Sequence, residues 1–303
     1  MLKHLQEESR WLLKHASNVT SQCGEDGIIS AALDVLPDRN GWCIEFGAWD
    51  GRKYSNTCDL ITSRSYRGVF IEADPYRFRD LQRNRDSSTH ILLNAFVGFG
   101  ESDSLDALLA KHDVVPSDVD LLSIDIDGND YYVWEAVHSY RPRLVIIEYN
   151  PTAGNSVHFV QPKDPCLCQG ASAAALVKLG HRKGYELIAT TEINLLFVYE
   201  KYYPLFHIPD NSLSVMRDDA HCPQIFVGYD GHVFLGEADN IGSISLPWHG
   251  LKLRESMVQV LPKRLEKFPA NYTRLDKFIY GCCFGFQRPK RLLRRLVGRS
   301  TNS

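Results

Sequence analysis

The sequence predicts an α/β protein with a mostly parallel β-sheet that ends in an antiparallel hairpin and is followed by a C-terminal appendage. Three observations indicate this class. From Gly41 onward, short apolar runs alternate with amphipathic stretches of helical length, which is typical of βαβ units. Two strand-like segments joined by a short turn, Tyr185–Thr190 and Asn194–Glu200, end this series, and the alternation is lost after Tyr203.

Five apolar runs are the predicted parallel strands. They are Trp42–Phe46, Gly68–Glu72, His90–Asn94, Asp120–Asp125 and Leu144–Glu148. The last two are nearly continuous in apolar residues, as expected for strands that are covered on both faces. The predicted helices are Gly24–Leu36, Asn56–Arg64, Pro75–Arg85, Ser104–His112, Tyr131–Tyr140 and Ala171–Lys183.

The loss of this pattern divides the chain into two parts. Residues 1–205 form the predicted sheet domain with an N-terminal helical lead-in, and residues 206–303 form an extension that we expect to pack on it. The extension contains a candidate hairpin at Gln224–Leu235. It ends in a tail, Arg288–Arg299, with six basic residues and no acid. Such a tail is typical of a solvated chain end, and the alternative is peripheral contact with an anionic membrane.

Composition limits the partners and the location. The 303 residues are 44% hydrophobic, enough for a substantial core, and the net charge of -3 gives no basic field that would attract nucleic acid. No apolar run reaches the roughly 18 residues of a membrane span, and the N-terminus does not resemble a signal peptide. Eight dispersed cysteines favour a reducing compartment, so we expect a cytoplasmic protein. The oligomeric state is left open.

A glycine-rich loop follows the first predicted strand, with Glu45, Gly47 and Gly51 in the pattern Glu-x-Gly-x-x-x-Gly. Such a loop lets the backbone approach a ligand closely. The second strand ends at Glu72-Ala73-Asp74, where Rossmann-like folds place an acid that binds the ribose diol of a nucleotide. The glycine spacing is not Gly-x-Gly-x-x-Gly, which disfavours a pyrophosphate ligand and a nicotinamide-dependent oxidoreductase. Acidic residues suit adenosine hydroxyls and a positive sulfonium instead.

An ordered set of motifs spans residues 20–203. It comprises Ser21-Gln22-x-Gly24-Glu25-Asp26-Gly27, Glu45-Phe46-Gly47-Ala48-Trp49-Asp50-Gly51 with Ser55-Asn56-Thr57, Ile71-Glu72-Ala73-Asp74, Ile124-Asp125-Ile126-Asp127-Gly128-Asn129-Asp130, and Gly184-Tyr185-Glu186-Leu187 before Asn194. In this set the chain resembles the FkbM-like class I methyltransferases. The resemblance implies a Rossmann-like class I methyltransferase fold and methyl transfer from S-adenosyl-L-methionine, often to an oxygen of a sugar or other small metabolite.

The resemblance also implies roles for single residues. Glu45, Gly47 and Gly51 would line the methionine side of the cofactor, Glu72 would hold the ribose, and Asn94-Ala95-Phe96 would lie near the adenine. The full set of candidate cofactor-binding residues is Gln22, Glu45, Gly47, Gly51, Ser55, Asn56, Glu72, Asp74, Asn94, Ala95 and Asp125. The alternative for the glycines is a tight turn without a ligand, and for the acids a solvated strand end.

Further polar residues follow the fourth and fifth strands. Asp125 and Asp127 end the fourth strand, and Glu148-Tyr149-Asn150 ends the fifth. Ligands of open parallel sheets bind beyond the carboxyl ends of the strands, so these groups are expected to meet at the reacting end of the cofactor. The candidate metal ligands are Asp127, Glu148 and Asn150, whose oxygens suit Mg²⁺ or Mn²⁺. Alternatively, the Asp127–Asp130 segment is a turn that caps the next helix.

The leading hypothesis is an enzyme that transfers a methyl group from S-adenosylmethionine to oxygen of a small polar acceptor, such as a glycan or metabolite. Asp127, Glu148 and His158, in the loop after the fifth strand, are the candidate catalytic residues. Cys166 and Cys168 match no ordinary zinc module, which disfavours zinc. The alternative is a non-catalytic methyltransferase-fold module that binds a partner through the C-terminal extension.

Overall fold

The computed structural model describes residues 2–112, 114–219, 222, 224–227, 233–236, 262–265 and 271–287. The chain divides into two compact units, Met1–Cys222 and Pro223–Ser303. Within the described residues, no helix is both long and apolar enough to cross a membrane. The basic tail at Arg288–Arg299 lies outside the described residues.

The first unit contains a seven-stranded sheet. Its strands are β1 Trp42–Phe46, β2 Arg67–Glu72, β3 Ile91–Asn94, β4 Leu121–Ile124, β5 Leu144–Glu148, β6 Tyr185–Thr190 and β7 Asn194–Tyr199. The order across the sheet is β3-β2-β1-β4-β5-β7-β6. Strands β1 to β5 are parallel, whereas β7 is antiparallel to both β5 and β6. The predicted fold class is therefore confirmed as a Rossmann-like, mostly parallel sheet that ends in an antiparallel hairpin.

The reversal of strand order between β1 and β4 positions the functional site. Chain connections leave β1 toward β2 on one side and return to β4 on the other, so a crevice opens beyond the carboxyl ends of these two strands. Residues of β1 and β4 are buried throughout, as expected for strands covered by helices on both faces. The apolar runs that predict these strands thus place their polar end residues at the crevice.

Helices flank this sheet. They are α1 Leu2–Ser9, α2 Glu25–Val35, α3 Cys58–Arg64, α4 Pro75–Asn84, α5 Leu105–Leu109, α6 Asp130–Ala136, α7 Ala173–Arg182 and α8 Leu213–Met216. Short 3-10 helices lie at Trp11–His15 and Glu200–Phe206. The six predicted helices are all present, but α6 ends four residues before the predicted Tyr140. Its chain leaves the helix because the amides of His138 and Ser139 each donate to Asp106 Oδ2 at 2.8 Å.

The first unit includes residues beyond the predicted boundary at 205. Phe206 is fully buried in its core, and Thr190 Oγ1 of β6 donates to the Met216 carbonyl at 2.7 Å. The buried Arg217 donates to the carbonyls of Pro151 at 2.7 Å and Ala153 at 2.8 Å. This segment therefore fixes the loop that follows β5.

The second unit contains the predicted hairpin. Strands β8 Gln224–Val227 and β9 Val233–Gly236 pair antiparallel. A 3-10 turn, Lys263–Leu265, and helix α9 Arg274–Gln287 follow, and neither was predicted. The predicted packing of residues 206–303 on the first domain, and the boundary at 205, stay predictions.

A close approach of two strand-end segments fixes the crevice floor. Gly47, directly after β1, has φ +73°, and a Cβ atom there would lie 1.7 Å from the carbonyl oxygen of Asp125 after β4. Gly41, before β1, has nearly the same φ of +72° but nothing within 4 Å of its Cβ position. A comparison of alanine substitutions at these two positions therefore separates the cost of backbone strain from the cost of steric conflict.

We expect Gly41→Ala to lower the free energy of unfolding by about 1–2 kcal/mol, the cost of a left-handed alanine. Gly47→Ala should cost roughly a further 1–3 kcal/mol or more, because backbone atoms must move apart. Urea denaturation of both variants measures the difference. Equal losses would show that the contact with the Asp125 carbonyl does not constrain the fold.

Candidate active site

A cavity of about 340 Å³ lies at the crevice between β1 and β4. Its lining comes from the loops after β1, β2 and β3, the turn after β4 and part of the loop after β5. Nine residues predicted from the sequence line it: Gln22, Glu45, Gly47, Ser55, Asn56, Glu72, Ala95, Asp125 and Asp127. The structure therefore brings most of the predicted cofactor-binding residues together in one place.

Glu45, on β1, organises the loop that precedes α3. Its carboxylate accepts hydrogen bonds from Ser55 Oγ at 2.7 Å, Thr57 Oγ1 at 2.8 Å and the amide of Asn56 at 2.8 Å. Burial raises the pKa of Glu45, whereas these three donors lower it. A buried carboxylate costs free energy unless donors satisfy it, so this network ties the loop firmly to the end of β1.

Glu72, at the end of β2, holds the glycine-rich loop in the same way. One carboxylate oxygen accepts the amide of Trp49 at 2.8 Å, and the other accepts the amide of Asp74 at 2.8 Å. Trp49 has φ +46°, a conformation that is uncommon for a bulky residue. Each oxygen of Glu72 retains capacity for another hydrogen bond, so a diol at the cavity could still bind it.

Gln22 reaches the cavity from the segment before α2. This segment curls around the buried Asp26, whose Oδ2 accepts the amides of Val19 at 2.8 Å, Thr20 at 2.7 Å and Ser21 at 2.8 Å. The turn is therefore held by one carboxylate. The motif around Gln22 is thus a structural support for a cavity-lining residue.

Three other candidate cofactor residues do not line the cavity. Gly51 packs against α4, where its Cβ position is 2.6 Å from the Leu81 side chain. Asp74 is exposed and caps the N-terminus of α4. Asn94 Nδ2 donates to the carbonyl of Glu72 at 2.8 Å, which joins the ends of β3 and β2. Their cofactor contacts stay predictions.

Three carboxylates meet beyond β4 and β5. One oxygen each of Asp125, Asp127 and Glu148 lies within 4.8 Å of the others. Burial, followed by repulsion from Asp130 and Asp127, raises the pKa of Asp125 to about 8. Burial, followed by repulsion from Asp125, raises the pKa of Glu148 well above its usual range. We call Asp125, Asp127 and Glu148 the acidic cluster.

The turn after β4 sets the direction of these groups. Asp127 is exposed with φ +58°, and Asp130 Oδ1 and Oδ2 accept the amides of Ile126 and Gly128, both at 2.9 Å. Burial raises the pKa of Asp130 to about 6. The predicted turn is therefore present, and Asp130 stabilises it, while the Asp127 carboxylate points to the cluster.

Asn150 and His158 are placed elsewhere. Asn150 Oδ1 accepts Thr152 Oγ1 at 2.6 Å and the Thr152 amide at 3.0 Å, and its Nδ2 donates to the carbonyl of Gln169 at 2.9 Å. His158 is exposed and does not line the cavity. The cluster thus contains Asp125 where the sequence suggested Asn150, and the metal and catalytic assignments of Asn150 and His158 stay predictions.

The cavity has an aromatic and basic rim, of which sequence reasoning named only Trp49, in the glycine-rich motif, and Phe96, near the adenine. Lys53 Nζ lies 4.8 Å from the Trp49 ring centroid, and Arg77 Cζ lies 4.7 Å from it, distances typical of cation–π contacts. Tyr54 and Phe96 also line the cavity and are about half exposed. Exposed aromatic residues in loops follow no periodic pattern, so only their position after the strand ends could have marked them.

The acidic cluster has a cost in stability that depends on pH. Because the pKa values of Asp125 and Glu148 are higher in the folded state than in the unfolded chain, the folded protein binds more protons, and stability falls as pH rises to about 8. Asp127→Asn removes one charge from the cluster, so it should raise the Tm. The expected rise is about 2–4 °C for each kcal/mol by which the free energy of unfolding increases. The gain should be larger near pH 8 than near about pH 5.

Thermal unfolding at both pH values tests this, with Glu101→Gln, an exposed acid outside the cluster, as the matched control. Asparagine also suits the left-handed backbone at position 127, but that gain is independent of pH. A Tm difference that does not change with pH would refute the repulsion.

No protein-family model matches the chain, and no curated protein matches it. Among solved structures it is similar to a candidate O-methyltransferase from Klebsiella pneumoniae, with 15% identity, 65% of this chain and 89% of that chain covered, and a TM-score of 0.37. A candidate S-adenosylmethionine-dependent methyltransferase from Listeria monocytogenes has 11% identity, 56% and 95% covered, and a TM-score of 0.34. Mitomycin 7-O-methyltransferase has 14% identity, with 65% of this chain and 66% of that chain covered, and a TM-score of 0.31. Likeness at this level assigns no activity to this chain.

Proposed function

We propose that this chain is an S-adenosylmethionine-dependent methyltransferase that methylates an oxygen of a small polar acceptor, such as a sugar or another metabolite. The observation that carries the proposal is the cavity beyond β1, β2 and β4, which is lined by Glu72 and by two members of the acidic cluster, Asp125 and Asp127, whereas Glu148 lies behind them and does not line it. One end of the cavity suits an adenosine diol and the other suits a reacting hydroxyl.

The charges of the cavity favour this cofactor. Carboxylates of Glu45, Glu72, Asp125 and Asp127 line it, and they would attract a sulfonium and an ammonium group but repel phosphates. The β1 loop has a single close-approach glycine, Gly47, rather than a phosphate-binding Gly-x-Gly-x-x-Gly turn. A ribose diol would bind the free lone pairs of Glu72, in line with the acid at the end of the second strand in Rossmann-like folds.

The acidic cluster supplies the proton acceptor. As the acceptor oxygen attacks the methyl carbon, the carbon–sulfur bond breaks, the sulfonium becomes a neutral thioether, and the hydroxyl proton passes to a carboxylate. A base works best when its pKa is close to the working pH, and the raised pKa of Asp125, about 8, meets this condition. The base must be deprotonated, so turnover should rise with pH toward about 8.

A divalent cation is the second way in which the cluster could act. Three carboxylates with oxygens within 4.8 Å of one another are hard donors that fit Mg²⁺ or Mn²⁺. Asp125, Asp127 and Glu148 would hold the ion, which lowers the pKa of a bound hydroxyl when present.

Calorimetric titration with S-adenosylmethionine, S-adenosylhomocysteine and NAD tests the cofactor. Binding of both sulfur compounds and not of NAD is expected. Transfer of a labelled methyl group to a panel of sugars and other hydroxylated metabolites then tests the reaction. Binding of NAD alone would defeat the proposal.

Glu72→Gln should weaken binding of S-adenosylhomocysteine by roughly 1–3 kcal/mol, because hydrogen bonds to a charged acceptor are stronger than those to an amide. Glutamine keeps an acceptor oxygen for only one of the two backbone amides that Glu72 binds, so circular dichroism is used to check that the variant is folded. Asp80→Asn, an exposed acid on α4 that pairs with Arg83, is the matched control and should bind like the wild type. Unchanged affinity in a folded Glu72→Gln protein would show that the ribose lies elsewhere.

A chelator separates the two forms of the mechanism. If a carboxylate acts alone, chelation changes nothing, while Asp125→Asn, Asp127→Asn or Glu148→Gln should lower turnover roughly 10²–10⁴-fold, whichever group is the base. Cofactor affinity should be kept in the Asp127 and Glu148 variants. If a cation takes part, a chelator abolishes turnover and Mg²⁺ or Mn²⁺ restores it. Full turnover in all three variants would remove the acidic cluster from the chemistry.

A further inference from the structure

The loop between Val160 and Ala171 lies at one side of the cavity. These two residues pair in an isolated antiparallel bridge that closes the base of the loop. Pro165, Leu167 and Cys168 of the loop line the cavity. Compact loops whose ends lie close together are often functional. We call residues 162–170 the wall loop.

A buried glutamine fills the inside of the wall loop. Gln161 is 1% exposed, and its Oε1 accepts the amides of Gln169 at 2.8 Å and Gly170 at 2.9 Å. Its Nε2 donates to the carbonyl of Leu167 at 3.0 Å. The loop conformation thus needs both the donor and the acceptor of this one side chain, since each unmade bond would leave a buried polar group unsatisfied.

The turn after β4 forms the seat of the wall loop. Asn129, which is buried and lines the cavity, donates from Nδ2 to the carbonyl of Asp164 at 3.1 Å. A Cβ atom at Gly128 would lie 2.7 Å from the carbonyl oxygen of Leu167. This contact leaves no room for a side chain at position 128. The wall loop is therefore pressed against the turn that carries Asp127 of the acidic cluster.

We propose that the wall loop is the acceptor-facing wall of the cavity and that Gln161 is the positioning residue that sets its place. The inference rests on the proposed function. Apart from Asp125, the candidate cofactor residues come from the segment before α2 and from the ends of β1, β2 and β3. The side between the acidic cluster and the wall loop is therefore left for the acceptor. Pro165 and Leu167 are apolar, so the acceptor class is a hydroxylated compound with one apolar face.

Two exposed cysteines of the wall loop report on that wall. Cys168 lines the cavity, whereas Cys166, which is two residues away and also exposed, does not. A compound bound against the wall should shield Cys168 from iodoacetamide and leave Cys166 reactive. Mass spectrometry of the peptide that contains both measures the two alkylation rates separately.

The probes are a vicinal cyclohexanediol, which has hydroxyls at one edge and an apolar remainder, and myo-inositol, which is hydroxylated all round. With the protein loaded with S-adenosylhomocysteine, the diol should protect Cys168 selectively and inositol should not. Gln161→Met, of similar size but without the hydrogen bonds, should need roughly tenfold more diol for the same protection, the usual effect of losing such a bond. Gly128→Ala should act in the same direction because its Cβ displaces Leu167.

Gln169→Met is the matched control, since Gln169 is exposed in the same loop. It should behave like the wild type, and all three variants should keep the wild-type affinity for S-adenosylhomocysteine within about threefold. A wild-type protein that does not bind S-adenosylhomocysteine overturns the proposed function. If S-adenosylhomocysteine binds normally, three results would overturn the acceptor wall. The first is that the diol gives no selective protection of Cys168, and the second is that this protection is unaltered in Gln161→Met and Gly128→Ala. The third is a large loss of cofactor affinity in those two variants.

Discussion

The cavity depends on the buried carboxylate of Glu45. This group sits at the junction of β1 and the segment before α3, and its three hydrogen bonds replace the water that a carboxylate would otherwise need. Ser55 and Asn56 are thereby placed on the cavity surface. If the network were loosened, the floor made by Gly47 and the side made by Asn56 would lose their common support, because both belong to the chain that leaves β1.

The acids at the four strand ends fall into two physical classes. Glu45 and Glu72 are matched with amide or hydroxyl donors, so their oxygens are held in place and they act as fixed acceptors. Asp125 and Glu148 face each other and Asp127, and burial together with that repulsion raises their pKa values. The first class suits recognition of neutral hydroxyls. The second class keeps an unfavourable charge balance that a proton, a cation or a positively charged ligand relieves, which is the condition expected of a reacting site.

The sequence was sufficient to predict the strands of the sheet, because buried parallel strands have nearly continuous apolar sequences. Strands β1 and β5 have the predicted bounds. It was also sufficient for the acids, because the rule that ligands bind beyond the carboxyl ends of strands needs only the strand ends. The sequence did not predict α9, because that segment lies outside the alternating series of strands and helices. It also predicted α6 too long, because hydrogen bonds from the chain after α6 to Asp106 end the helix early. Helix ends of this kind are decided by tertiary contacts rather than by propensity.

Side-chain direction was the other quantity that the sequence did not contain. Asn150 follows β5 as closely as the rule requires, yet a neighbouring threonine and the Gln169 carbonyl take up its amide, a local competition typical of asparagine. The same asparagine therefore helps to hold the loop after β5 rather than joining the cluster. Arg217 and Gln161 hold other parts of that loop by donating to its carbonyls. A loop without helix or strand must satisfy the hydrogen bonds of its buried backbone through side chains. The side of the cavity opposite the cofactor residues therefore owes its shape to single polar residues of the loop after β5. A single substitution in that loop can change the shape of the cavity while the sheet remains intact.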